Sequence, residues 1–105
     1  MIEPSLQKII DLFKIICYTL INKDPASGAI KLIVKKGDNN GSTTLFINCY
    51  LENPRDVGIL LGKKSHSPRT KDAIIKILVQ TAYYAGISKI DLTIDDVTKL
   101  PSDGK

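Results

Sequence analysis

Apolar residues recur at spacings of three and four through the first fifth of the chain. Leu6, Ile9, Ile10, Phe13, Ile16, Cys17, Leu20 and Ile21 fall on one broad stripe, which predicts a long amphipathic helix facing a core, with Ser5 at its cap. Leu12, Ile15 and Tyr18 make a second, weaker stripe on its flank, wider than one packing surface requires. Two readings fit that flank: a wide core face, or a contact with another chain. Asp24-Pro25 is expected to end the helix, because the residue before a proline is pushed out of the α region, and Ala26-Ser27-Gly28 reads as a loop.

The period then changes from 3.6 to 2. Ile30, Leu32 and Val34 alternate with Lys31, Ile33 and Lys35, a half-buried strand, and Gly37-Asp38-Asn39-Asn40-Gly41 supplies residues that tolerate the positive φ of a hairpin turn. The returning strand is expected from about Thr43 to Leu51. Leu45, Ile47, Cys49 and Leu51 share one face and should meet the helices; Phe46 and Tyr50 share the other, open face with Thr44 and Asn48.

Asn53-Pro54-Arg55-Asp56 has the chemistry of a helix start: an Asn cap, proline at the first position, and an acid where the helix dipole favours it. Val57, Leu60 and Leu61 should face inward, and Gly58 inside the helix costs ~1 kcal/mol relative to alanine, which makes sense if something packs closely against the backbone there. This short helix reaches Gly62. Ser67-Pro68 repeats the cap-plus-proline start, and Ile74, Ile77, Leu78, Thr81, Ala82 and Ala85 carry a helical stripe to a stop at Gly86. Ile90, Leu92 and Ile94 alternate with Asp91, Thr93 and Asp95 as a third strand, and Val97 to Lys105 has no period and reads as a frayed tail.

The resulting class is α+β, in the order α-β-β-α-α-β, with a three-stranded sheet and helices packed on one face. At 105 residues, 43% apolar and 25% charged, the chain fits a single domain, residues 1–96, followed by the polar tail 97–105. Charged residues soon after the start and the lack of a long uncharged apolar run predict a soluble, intracellular, cytoplasmic protein without a secretory signal or membrane span. Cys17 and Cys49 lie in apolar-periodic segments with no second Cys or His at ligand spacing, so they read as buried thiols and no metal or cofactor is expected.

Charge is concentrated in one place. Between Arg55 and Lys76 stand six basic residues (Arg55, Lys63, Lys64, Arg69, Lys71, Lys76) against Asp56 and Asp72, so the net charge of +4 resides in this segment. Such a cluster is either a solvated, lysine-rich joint or the footprint of a phosphate-bearing partner.

The stretch Leu51-Glu52-Asn53-Pro54-Arg55-Asp56-Val57-Gly58-Ile59-Leu60-Leu61-Gly62-Lys63-Lys64, with Asp72-Ala73-Ile74-Ile75-Lys76 and Ile90-Asp91-Leu92-Thr93-Ile94-Asp95 downstream, resembles the prokaryotic type II KH domain of small bacterial RNA-binding proteins. The resemblance spans roughly Ser5 to Asp96. It implies a non-enzymatic module for single-stranded RNA, or DNA, in which a G-x-x-G loop between two helices meets the sugar-phosphate backbone and bases lie in an apolar groove. Gly62, Lys63 and Lys64 fall on the first three loop positions, and Ser65 stands where the family has its second glycine, so the loop is a degenerate one. The segment from Gly62 to Ile74 is also about three residues longer than usual.

The resemblance places Ile59 and Leu60, with Ile74 or Ile75, between groove and core, and it equates the hairpin tip with Lys35 and Lys36 with a variable loop that contacts the strand from the other side. The nucleic-acid-binding set is therefore Gly62, Lys63, Lys64, Ser65, His66, Arg69, Lys71, Ile59, Lys35 and Lys36. The alternative is a degenerate KH domain serving protein contact or homodimerisation, through Leu12, Ile15 and Tyr18 or through Phe46 and Tyr50. An enzyme is disfavoured: His66 is the single histidine, it reads as an exposed loop residue, and no nucleophile-base set can be argued from spacing.

Overall fold

The computed structural model describes residues 4–63 and 70–101. The chain has an α+β fold, and the described residues form three helices, α1 (Pro4–Ile21), α2 (Pro54–Leu60) and α3 (Thr70–Ala82), and three strands, β1 (Ile30–Asn39), β2 (Ser42–Leu51) and β3 (Lys89–Asp96).

All three helices stop in the same way. After α1, Asn22 takes φ 56°; its N–H donates to Thr19 O at 3.3 Å and the Lys23 N–H to Tyr18 O at 3.0 Å. This paired closure satisfies carbonyls that the last helical turn leaves open. The helix therefore ends at Ile21, before the expected Asp24-Pro25 break. Asp24 instead caps a 3-10 turn, Pro25–Ser27, by accepting the Ala26 N–H at 2.9 Å. After α3 a 3-10 turn, Tyr83–Ala85, leads to Gly86 at φ 76°, whose N–H donates to Tyr83 O while the Ile87 N–H donates to Ala82 O. Nothing lies within 4 Å of a Cβ built on Gly86. Gly86→Ala is accordingly expected to cost only the left-handed backbone, ~1–2 kcal/mol, seen as a lower urea midpoint at unchanged slope.

The hairpin is tighter than the five-residue loop expected. β1 and β2 pair antiparallel from Ile30↔Leu51 to Asn39↔Ser42, and only Asn40 (φ 53°) and Gly41 (φ 81°) connect them, the positive-φ pair that a type I′ turn demands. β3 lies on the other side of β2, parallel to it, from Thr44↔Lys89 to Leu51↔Asp96, so the sheet is mixed with order β1-β2-β3. Parallel neighbours need a long crossover, which α2 and α3 supply.

One core follows. Leu45, Ile47, Cys49 and Leu51 of β2 and Ile90, Leu92 and Ile94 of β3 are buried with Ile9, Phe13 and Cys17 of α1, Leu60 of α2, and Ile74, Leu78 and Ala82 of α3. Along α3 the buried line runs through residues 74, 78 and 82, with Ile75 and Val79 half-buried on one flank. Ile77 belongs to the other flank and is 44% exposed, contrary to its expected place in the stripe. Leu20, in the last turn of α1, is likewise 42% exposed.

Tyr18 moves the opposite way. It is buried and part of the core cluster, because the turn Pro25–Ser27 folds back on α1, where Tyr18 and Pro25 border one groove. The flank stripe Leu12, Ile15, Tyr18 is thus not one open surface: Leu12 packs against the core and Ile15 alone is exposed. On the open face of the sheet Phe46 is exposed as expected, whereas Tyr50 is buried. The expected tail also begins with structure, a 3-10 turn Val97–Lys99 capped by Asp96 through the Thr98 N–H and packed against β2; residues 102–105 lie outside the described set.

Candidate nucleic-acid interface

The candidate joint starts where β2 hands over to α2. Asn53 Oδ1 accepts the Arg55 N–H at 2.9 Å and Pro54 occupies the first helical position, the start expected of this sequence. Asp56 is the first-turn acid expected of this start. It is buried, with Lys23 Nζ, from the segment after α1, 3.1 Å from Oδ2. The contact is an ion pair without hydrogen-bond alignment, so Oδ2 is held by charge alone. Replacing the partner would strand a buried carboxylate, which is why the α1 exit and the α2 start act as one unit.

Gly58 is buried, as a glycine inside a short, closely packed helix should be. The helix then closes at Gly62 (φ 82°): its N–H donates to Ile59 O at 3.0 Å, and the Lys63 N–H donates to Gly58 O at 2.7 Å. Gly62 therefore has a structural duty, since only glycine enters the left-handed region without a Cβ penalty. The same closure leaves the Lys63 side chain exposed just beyond the helix. Lys64, Ser65, His66 and Arg69, and the expected Ser67-Pro68 cap, lie outside the described residues. On the far side, Thr70 is buried and Lys71 is half-buried in the first turn of α3.

The aliphatic candidates separate cleanly. Leu60 and Ile74 are core residues, while Ile59 and Ile75 pack against the core with part of their surface open. Lys35 and Lys36 do not belong to the hairpin tip. Both sit in the paired part of β1, opposite Phe46 and Leu45. Adjacent strand residues point to opposite faces, so Lys35 shares the open face with Phe46 and Lys36 the helix-side face with Leu45. Tyr83 and Tyr84, the most exposed aromatics at 75% and 90%, form an edge-to-face pair at the far end of α3, about 20 Å of helix from Thr70.

Cys17 lies in hydrogen-bond contact with Cys49, and that contact together with burial pushes the Cys17 thiol far up from its ordinary value. A shift in that direction favours the protonated thiol over the thiolate, the nucleophilic form. Among the described residues no group of three His, Cys, Asp or Glu is placed to hold a metal ion, and no helix is long and apolar enough to cross a membrane. Compared with family models, with curated proteins and with solved structures, the chain has no match.

Proposed function

We propose that this protein is a KH-like, non-enzymatic module that binds single-stranded RNA or DNA at the joint between α2 and α3. One observation carries the reading: Asp56 is withdrawn from the surface and paired with Lys23, so of the two acids that the sequence sets among the six basic residues between Arg55 and Lys76, Asp72 alone is exposed. A field of that sign attracts a polyanion. Lys63, Lys64, Arg69 and Lys71 are the phosphate contacts of this reading, and Ile59 and Ile75 give bases an apolar edge. Lys35, on the open face of the sheet, is outside it.

With Tyr83 and Tyr84 at the opposite end of α3, the reading includes no aromatic stacking platform, and weak sequence preference follows. The test is an anisotropy titration of labelled random and homopolymer single strands at two salt concentrations. Binding should weaken with salt at a log–log slope of about −2 to −3, or ~−0.7 for each of three or four phosphates. A flat titration at low salt, or affinity indifferent to salt, would defeat the proposal.

A further inference from the structure

The open face of the sheet carries a charge pattern that goes beyond the nucleic-acid reading. Pairing places residues in rows across the three strands: Lys31–Tyr50–Asp95, Ile33–Asn48–Thr93, Lys35–Phe46–Asp91 and Gly37–Thr44–Lys89. β1 contributes lysines and β3 contributes aspartates at the same heights, with Phe46 between them. Within one chain Lys35 and Asp91 are two strand spacings apart, about 10 Å at the backbone. Among the described residues, neither they nor Lys31 and Asp95 form an ion pair with one another.

From this arrangement we infer that the open face is a homodimer interface built around a two-fold axis parallel to β2. That axis lays β1 of one protomer over β3 of its partner at unchanged height, so Lys35 meets Asp91 and the two Phe46 backbones stand opposite each other. Lys89 falls over Gly37, where it meets the Phe46 ring that lies on that glycine. An in-plane axis across the strands would set β1 on β1 and bring lysine against lysine. The lysine edge of β1 also opposes an edge-to-edge pairing of two β1 strands. Only the first arrangement is self-complementary.

The surface suits sheet stacking. A Cβ on Gly37 would come 2.9 Å from Phe46 Cε2, so the ring lies over Gly37 and presents a flat apolar centre. Twisted sheets stack about 30° apart, which sets the axis about 15° from β2 and displaces the neighbouring strands by about 2–3 Å in the Phe46 row, within reach of a flexible lysine stem, but by about 7 Å in the Lys31 row. Because Tyr50 is already buried, the contact centres on the Phe46 row. Three strands of about eight residues offer a face of roughly 14 by 26 Å, about 360 Å² on each protomer and so below the size of stable interfaces, and weak association, micromolar at best, is expected.

Sedimentation equilibrium on the full chain, free of nucleic acid, tests this. The parent should dimerise with a Kd of about 1–100 μM, weakened by salt. Lys35→Asp and Asp91→Lys, both at exposed positions, should each raise the Kd on the order of tenfold or more by setting like charges together. An equimolar mixture of the two variants should recover association, since each then supplies the charge the other lacks. Phe46→Asp should abolish the dimer. A parent that stays monomeric throughout that range overturns the inference, as does a dimer indifferent to all three substitutions, or a mixture that stays monomeric while both variants keep the parent's far-UV circular dichroism.

Discussion

Phe13→Ala is expected to destabilise the domain by about 3–5 kcal/mol, the cost of deleting a large buried ring and leaving a cavity that the surroundings only partly fill. Phe13 is fully buried at the middle of α1, between Ile9 and Cys17 on the stripe that faces the sheet. A domain of this size has roughly 5–15 kcal/mol in hand, so the variant should sit near the edge of folding. Ile15→Ala is the matched comparison: two residues along the same helix, 60% exposed, and expected within about 0.5 kcal/mol of the parent. Urea unfolding of both variants checks the result. Equal losses would mean that α1 is rotated about its axis from the packing described.

The charge-reversed double variant Lys63→Asp, Lys64→Asp is expected to lower single-stranded RNA affinity about a hundredfold at low salt, or about 2.7 kcal/mol. The log–log salt slope should become shallower by about 1.4, two phosphate contacts at ~0.7 each. Stability should hardly change, because what Lys63 gives the fold is its backbone N–H to Gly58 O, and an aspartate there keeps that donor. The Lys63 side chain itself is exposed. Should this variant bind RNA as well as the parent while unfolding at the same urea concentration, the joint is not where nucleic acid sits. Loss of binding accompanied by loss of stability would instead point to damage at the Gly62 closure.

Much of the fold is legible in the chain because its signals are local. Alternation in 45–51 and 90–94 names the inner face of the sheet, and each of those inner residues is buried. Asn40-Gly41 makes the hairpin turn, though neighbouring Gly37, Asp38 and Asn39 drew the loop too wide; strand pairing continues through them. Asn53-Pro54 starts α2 and Gly86 ends the helical run as their chemistry requires. The candidate site was legible as a concentration of charge and as the glycine that closes a helix. Two of its parts were not. Lys35 and Lys36 are neighbours in sequence but stand on opposite faces of a paired strand, and the withdrawal of Asp56 depends on Lys23, more than thirty positions earlier.

The sequence by itself determined where helices and strands begin and end to within a few residues, and which side chains share a face, since both follow from backbone periodicity and from caps that act over three or four residues. Tertiary structure alone decided which boundary residues of each stripe are covered: Tyr18 and Tyr50 are buried, and Leu20 and Ile77 are not. It also decided that β3 runs parallel to β2, which sets lysines and aspartates at matching heights across the open face. The reason is physical: a period specifies a direction from the helix or strand axis, whereas burial and pairing depend on what the rest of the chain places in that direction.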